Sequence, residues 1–400
     1  MTPVRPRDDD GHRTLVVAGI SVRALAESAR QAGWDVISLD LFGDADTRRA
    51  SVHWARIGEP AALRIDPARL REELQRAARR PRVDGWVPAS GFEGAAELLS
   101  AGATALPCLA ISSSEMQRVR DPALFFGTLD HHGLSHPRIC RDPPADPAGW
   151  LAKRAGGCGG MHIRAAEQML ADPAQRHADT YFQRCQPGTP MSALFVADGQ
   201  HFRLVALNRL IVRAIGPLPH VYAGAVGPIS SGQLEQAVVR ALSVLVPEFG
   251  LRGLASLDFL ADESGAHWLE VNPRPSATLQ LHAHAWPGGL MRVHVDAVRR
   301  RLPALAPRRA PGVRGHLTVF AERPGRVGAA SALDPVDRRH LHDLPPPGTR
   351  FTRGEPICTV SAGADNVDDA LRLLETRAAR ARRAVQDGAP AAAPTPELAA

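Results

Sequence analysis

Residues 256–281 read SLDFLADESGAHWLEVNPRPSATLQL. Two apolar-rich runs flank ADESG, so the stretch reads as two strands joined by a turn. Asp258 sits in the first strand between apolar neighbours. Glu270 and Asn272 sit two apart in the second, hence on one face. With the strands antiparallel, Asp258 lies beside them. Two carboxylates and an amide oxygen that converge in a buried place repel one another and lose solvation unless a cation joins them. An oxygen-only set suits Mg2+, with Mn2+ as substitute. The competing reading is a solvent-facing strand with innocent polar positions. The following NPRP puts Arg274 next to the cluster, where a guanidinium would meet a phosphate or an acyl phosphate.

A second stretch, LAKRAGGCGG (151–160), contains the chain's one lysine, Lys153. Of 48 Lys and Arg residues the other 47 are Arg. Arg is a planar fork and Lys a compact point charge, so a site built around one phosphate oxygen favours Lys. The glycine run behind it fits close approach to phosphate; the competing reading is an accident of an Arg-biased composition.

The 400 residues predict two or three domains. A hydrophobic content of 44% with 22% charged residues is that of a soluble globular chain. The net charge of +6 is spread among Asp and Glu, and only two Tyr are present, so no nucleic-acid surface is expected. The excess charge favours anionic small molecules. Cys108, Cys140, Cys158, Cys185 and Cys358 form no C-x-x-C pair, which argues against a disulfide framework and a structural zinc. His282 and His284 stand two apart in a helical context, where they point apart, so zinc is not expected there. Cys158 and Cys185 read as small apolar filler rather than reactive thiols. The polar start, MTPVRPRDDDGHR, and the lack of a long apolar run predict a reduced cytoplasmic protein with no membrane partner.

Residues 14–40 follow strand, helix, strand grammar and predict a parallel sheet. Val22, Leu25, Ala26 and Ala29 share one helical face, and Gly33 ends the helix. Ser21 and Arg23 at its start suit an anion or substrate; the plainer reading makes Ser21 the N-cap. VDGWVPAS, then GFEGAAELLSAG, places Glu93 at a strand's C-terminal end, where open α/β sheets bind ligands. Glu93 is either a substrate contact or a first-turn acid that suits the helix dipole. PCLAIS reads as a further strand closing this unit. From about residue 148, WLAKR, MHIRA, TYFQRC, SALFVADG and HFRLVALNRLIV predict antiparallel strands. RGHLTVFAE and EPICTVSAG follow, then a helix over 367–386 capped by Asn366.

Lys153 on a strand, the loop Gly156-Gly157-Cys158-Gly159-Gly160, the acidic pair and E-V-N-P-R-P resemble the ATP-grasp superfamily, in its biotin-carboxylase-related branch. The likeness spans about residues 14–385. It implies an α/β plus α+β fold: an N-terminal parallel-sheet domain at 1–120, an ATP-grasp domain at 121–305, a small C-terminal β/α domain at 306–386 and a disordered tail at 387–400. It implies that ATP lies between two lobes. Lys153 would hold the α- and β-phosphates, and the backbone of Gly156, Gly157, Gly159 and Gly160 would fold over the phosphates. Gln183 and the Arg184–Cys185 backbone would meet adenine. Asp258, Glu270 and Asn272 would hold Mg2+, and Arg274 would stabilise an acyl phosphate. Ser21, Arg23 and Glu93 are then candidates for the acceptor side.

The departures are specific. Relatives of this type often carry a second lysine in a D-K before a helix; here Asp121 precedes Pro122, and the contact is missing or comes from Arg118 or Arg120. Arg184 stands where Glu is usual. Biotin carboxylases place a Glu base four residues beyond the Arg; here it is Thr278, and the chain has no M-K-M sequence. The expected activity is therefore an ADP-forming ligase that joins a small-molecule carboxylate to an amine. SVRALAESARQAGWDVISLDLFGDADT, ASGFE and EVNPRPSATLQL together resemble predicted carboligases of methanogens and methylotrophs, which points to methanofuran- or tetrahydromethanopterin-type C1 cofactor assembly, with tyramine–glutamate ligase as one relative. The alternatives are a bicarbonate-dependent carboxylase-like enzyme and a non-catalytic nucleotide-binding protein. Related enzymes are often dimers, so a homodimer is one reading of the assembly.

Overall fold

Thr14–Ala18 is buried along its whole length, as the central strand of a parallel sheet covered on both faces must be. The computed structural model describes residues 13–172, 176–304, 306–308, 311–328 and 338–387. In the parallel sheet the strands run His53–Arg56, Asp35–Asp40, Thr14–Ala18, Val83–Pro88. Helix Arg23–Gln31 crosses between the first two in sequence and buries Leu25, Ala26 and Ala29 against the sheet, as its periodicity predicts. Two details differ from expectation. Ser21 does not cap this helix: Val22 holds the N-cap position and no side chain caps it. PCLAIS makes only a single parallel bridge, Trp86 to Cys108. Pro107 has no N–H to give, and its carbonyl accepts from Trp86 N–H at 2.9 Å.

Two antiparallel sheets follow. The smaller runs Ile139–Cys140, Thr180–Arg184, Trp150–Arg154, Arg164–Ala165. MHIRA supplies only its last two residues, because Gly159 and Gly160 just before it take φ of +64° and +73° and keep the chain in a turn. The larger sheet has eight strands. It begins Gly265–Asn272, Arg252–Asp262, Thr189–Asp198, Phe202–Ile215, Leu218–Ile229 and continues through Val313–Phe320, Pro356–Ala364 and Leu341–His342. It therefore runs unbroken across residue 305. Gly224 pairs with Leu317 at the crossing.

Helix Gly232–Phe249 lays Val238, Leu242, Leu245 and Phe249 on one face of this sheet, and helix Gly289–Val298 covers the other. Helix Val367–Asp387 packs on the last strands and starts as predicted, with Asn366 Oδ1 accepting from Asp369 N–H at 2.9 Å. The expected tail lies, from residue 388 on, outside the described residues. Helices Ser113–Arg120 and Pro122–His131 meet at Asp121, which is the C-cap of the first and caps the second through Ala123 and Leu124 N–H. Among the described residues no helix is long and apolar enough to cross a membrane.

Candidate active site

Antiparallel pairing sets Asp258 opposite Glu270, and Ser192 flanks Asp258 from the other side. Asp258 accepts from Ser192 Oγ at 2.6 Å and from Asn272 Nδ2 at 2.9 Å. Asn272 Nδ2 also faces Glu270 Oε1 at 3.4 Å. The expected amide oxygen is thus corrected to an amide nitrogen: two adjoining carboxylates draw the nearest N–H donor, and Asn272 Oδ1 turns to Arg274 instead. A half-turn of the amide would present its oxygen. Burial, then the neighbouring Glu270, pushes the Asp258 carboxyl well above the usual range. Burial acts the same way on Glu270, but Arg120, Lys153 and His162 outweigh it and hold that carboxyl low. The surplus negative charge in this pair is what a divalent cation relieves, so the residues fit Mg2+.

Arg274 lies over this pair, with its amide N–H bonded to the Asn272 carbonyl. Its Nε donates to Glu93 Oε1 at 2.5 Å, and Glu93 Oε2 accepts from Gly91 N–H at 2.7 Å. Burial would raise the Glu93 pKa, but Arg274 and Arg120 hold it below the ordinary carboxylate range. Both of its oxygens are taken, so Glu93 is corrected from an acceptor-side contact to the group that orients Arg274.

Lys153 is buried in the smaller sheet, and its Nζ donates to Gln183 Oε1 at 3.2 Å. The glycine loop is clamped between neighbours. A Cβ on Gly156 would stand 2.3 Å from Gly94 Cα, one on Gly157 2.1 Å from the His162 ring, and one on Gly160 1.8 Å from the His220 carbonyl. Gly156 N–H donates to Asp179 and Gly157 N–H to the Arg154 carbonyl, so these two amides are committed inside the protein. At the hinge, Arg184 and Cys185 are exposed, and their N–H groups donate to the carbonyls of Arg138 and Gly149. These two N–H groups are committed inside the protein, so what the Arg184–Cys185 backbone has left to offer adenine is its carbonyls.

Two further residues stand in the same place: Arg120, which the sequence offered together with Arg118 for the missing phosphate contact, and His162, which the sequence did not single out. Arg120 is buried; it donates to Glu270 Oε2 at 3.1 Å and to the carbonyls of Ala155 and Gly157 at 3.0 and 2.7 Å. Arg118 instead pairs with Glu248 on the exposed side. A small cavity of about 20 Å³ lies beside Arg120, lined by Phe125, Phe126, Ala155, Tyr181 and Glu270. His162 lies beneath the loop with neither ring nitrogen partnered. Burial, reinforced by Lys153 and Arg120 against the pull of Glu270, takes its pKa down to about 4. The signal for His162 was its place two residues after the glycine run.

The other candidates are elsewhere. Ser21 is exposed. Arg23 is corrected from a substrate contact to an internal tie: it donates to Glu27 at 2.8 Å, Asp343 at 2.6 Å and Gln280 at 2.9 Å. Burial pushes the Cys158 thiol up to about 12, so it is not a thiolate. His282 is buried and bonded to Asn208 at 2.7 Å.

Residues 119–278 match the family model of the ATP-grasp domain. The chain carries an ATP-grasp domain. No curated protein sequence matches it. Among solved structures it is similar to the biotin carboxylase domain of 2-oxoglutarate carboxylase from Hydrogenobacter thermophilus, solved with MgADP, ADP and bicarbonate: 12% identity, TM-score 0.70, 91% of this chain and 89% of that one. Biotin carboxylase from Campylobacter jejuni gives 13% identity and a TM-score of 0.68 over 92% of this chain and 91% of that one. N5-carboxyaminoimidazole synthetase from Staphylococcus aureus, with ADP, gives 13% and 0.65 over 92% of this chain and 97% of that one. At such identities the likeness is one of fold. The ATP-grasp match covers Lys153, the glycine loop, the acidic pair and Arg274.

Proposed function

We propose that this ATP-grasp protein is a Mg-dependent ligase that activates a small-molecule carboxylate as an acyl phosphate and passes it to an amine, releasing ADP and phosphate. The observation that carries the reading is the convergence of three groups: buried Lys153 under a clamped glycine loop, the cross-strand pair Asp258–Glu270, and Arg274 fixed by Glu93. Asp258 and Glu270, with Asn272 turned, would hold Mg2+, which supplies charge neutralisation at the phosphates. Lys153 and Arg120 bring positive charge to the phosphates, and Arg120 takes the place of the absent second lysine. Arg274 faces the growing charge on the acyl phosphate, held in place before the reaction begins.

Thr278 favours an amine acceptor over bicarbonate chemistry: it is buried and hydrogen-bonded to Ser276 at 2.7 Å, with no carboxylate base in its place. The resemblance to predicted carboligases supports a place in C1 cofactor assembly.

The test is thermal melting with Mg-ATP, then ADP release with a panel of acids, amines and bicarbonate. Binding to the folded form raises the melting temperature. The expected outcome is a Mg-dependent ATP shift, lost in Lys153→Ala, and ADP release only with an acid and an amine together. Release driven by bicarbonate alone would replace the ligase with a carboxylase, and no ATP shift at any Mg2+ concentration would sink both.

A further inference from the structure

We propose that Glu27, Asp46 and His342 bind a divalent transition-metal ion of the zinc class, which staples residues 341–344 to the amino-terminal α/β unit. One ligand atom from each lies within 4.8 Å of the others. Donors around one ion, each about 2.0–2.2 Å from it, span such distances after a small inward movement. The spacing encloses a single ion rather than the body of an organic cation.

Asp46 is 9% exposed, and its buried Oδ1 has no hydrogen-bond partner, while Oδ2 accepts from Asp343 N–H at 2.9 Å. A buried carboxylate oxygen without a donor is costly unless something arrives to meet it. His342 Nε2 bonds to Ser361 Oγ at 2.9 Å. With Nε2–H donating there, the ring is fixed and Nδ1 keeps its lone pair, as in metal-bound histidines with an outer partner.

The surroundings ask for a cation. Arg23 is the positive group here, shared among Glu27 at 2.8 Å, Asp343 at 2.6 Å and Asp46 at 3.5 Å. Asp44 stands close by, 5% exposed and accepting no bond from the helix it precedes. Two carboxylates and one imidazole form a mixed N/O set that suits zinc or manganese better than the oxygen set at Asp258 and Glu270. The segment already touches the unit through Ala45 N–H to the Leu344 carbonyl at 3.1 Å, and the ion would add to that seam.

The proposal does not depend on the ligase reading and is tested without nucleotide. Untagged protein stripped with chelator is titrated with Zn2+, and with Co2+ for its visible absorption. The expected result is one tightly bound ion per chain, held at least tenfold more weakly in Asp46→Asn and in Glu27→Gln, and kept in Glu270→Gln. Glu27 is half exposed, so its variant leaves the core intact. Failure of the wild type to take up stoichiometric Zn2+, unchanged affinity in both cluster variants, or loss of the ion in Glu270→Gln would each overturn it.

Discussion

Arg274 depends on Glu93 more than on any nearer residue in sequence. Glu93→Gln keeps the shape but leaves a buried guanidinium without its counter-charge. The expected loss is about 100-fold in kcat, from a shifted Arg274, with little change in the KM for ATP. Steady-state kinetics separate the two, and an equal loss in both would make Glu93 a binding residue. Arg120→Lys keeps the charge and loses the fork that spans Glu270 and two loop carbonyls. ATP affinity should fall about tenfold, read by calorimetry. The acidic pair was legible in the sequence because both members sit on adjoining strands with a short turn between them. Glu93 and Arg120 were singled out individually, but the pairings through which they hold the site together were not legible. Glu93 is 181 residues from Arg274, and Arg120 is 150 from Glu270. No local pattern links positions so far apart; only the folded sheets do.

At the level of elements, the glycine loop makes the sharpest prediction. Gly159 and Gly160 both have positive φ, but a Cβ on Gly159 meets nothing within 4 Å, whereas one on Gly160 meets the His220 carbonyl. Gly159→Ala should cost only the conformational strain, about 1–2 kcal/mol. Gly160→Ala should also push the loop off the strand Leu218–Ile229 and weaken ATP binding at least tenfold. Equal ATP affinities for the two variants would show that the loop does not need that contact. The same loop explains the weaker parts of the sequence reading. MHIRA alternates like a strand, yet its first residues belong to a turn fixed by two glycines. Asp121–Pro122 looked like a lost phosphate contact, and it is instead a helix start with Asp as cap and Pro in the first turn. Asp121→Ala should therefore cost about 1 kcal/mol of stability, measured by denaturant unfolding.

For the whole molecule, pH acts with opposite signs through buried histidines and through buried aspartates, among which Asp44 lies outside the site. Burial first, with local charges adding to or opposing it, takes His162, His282, His294 and His342 down to about 4 and His316 to about 3. These rings are neutral in the fold and take protons near 6.5 when unfolded. Their contribution is full above pH 6.5 and is lost as pH falls toward 4, each adding about 1.4 kcal/mol per pH unit in that window. Asp44, raised to about 8, works the other way: what it contributes is present below its unfolded pKa of 3.8 and is lost as pH rises to 8. In metal-free protein the melting temperature should fall steeply below pH 6, and Asp44→Asn should raise it at pH 8 but not at pH 4. A flat profile from pH 4 to 7 would mean that the rings are charged in the fold. The tie between Arg23 and Asp343 spans 320 residues. During translation the first helix leaves the ribosome long before the last of its counter-ions, Asp343, exists, by between about 16 and 64 s at roughly 5–20 residues per second. For that interval a nascent chain carries a cation and a group of acids whose final partner is still unmade, and a chaperone that reads exposed charge beside apolar surface has its longest chance to bind there.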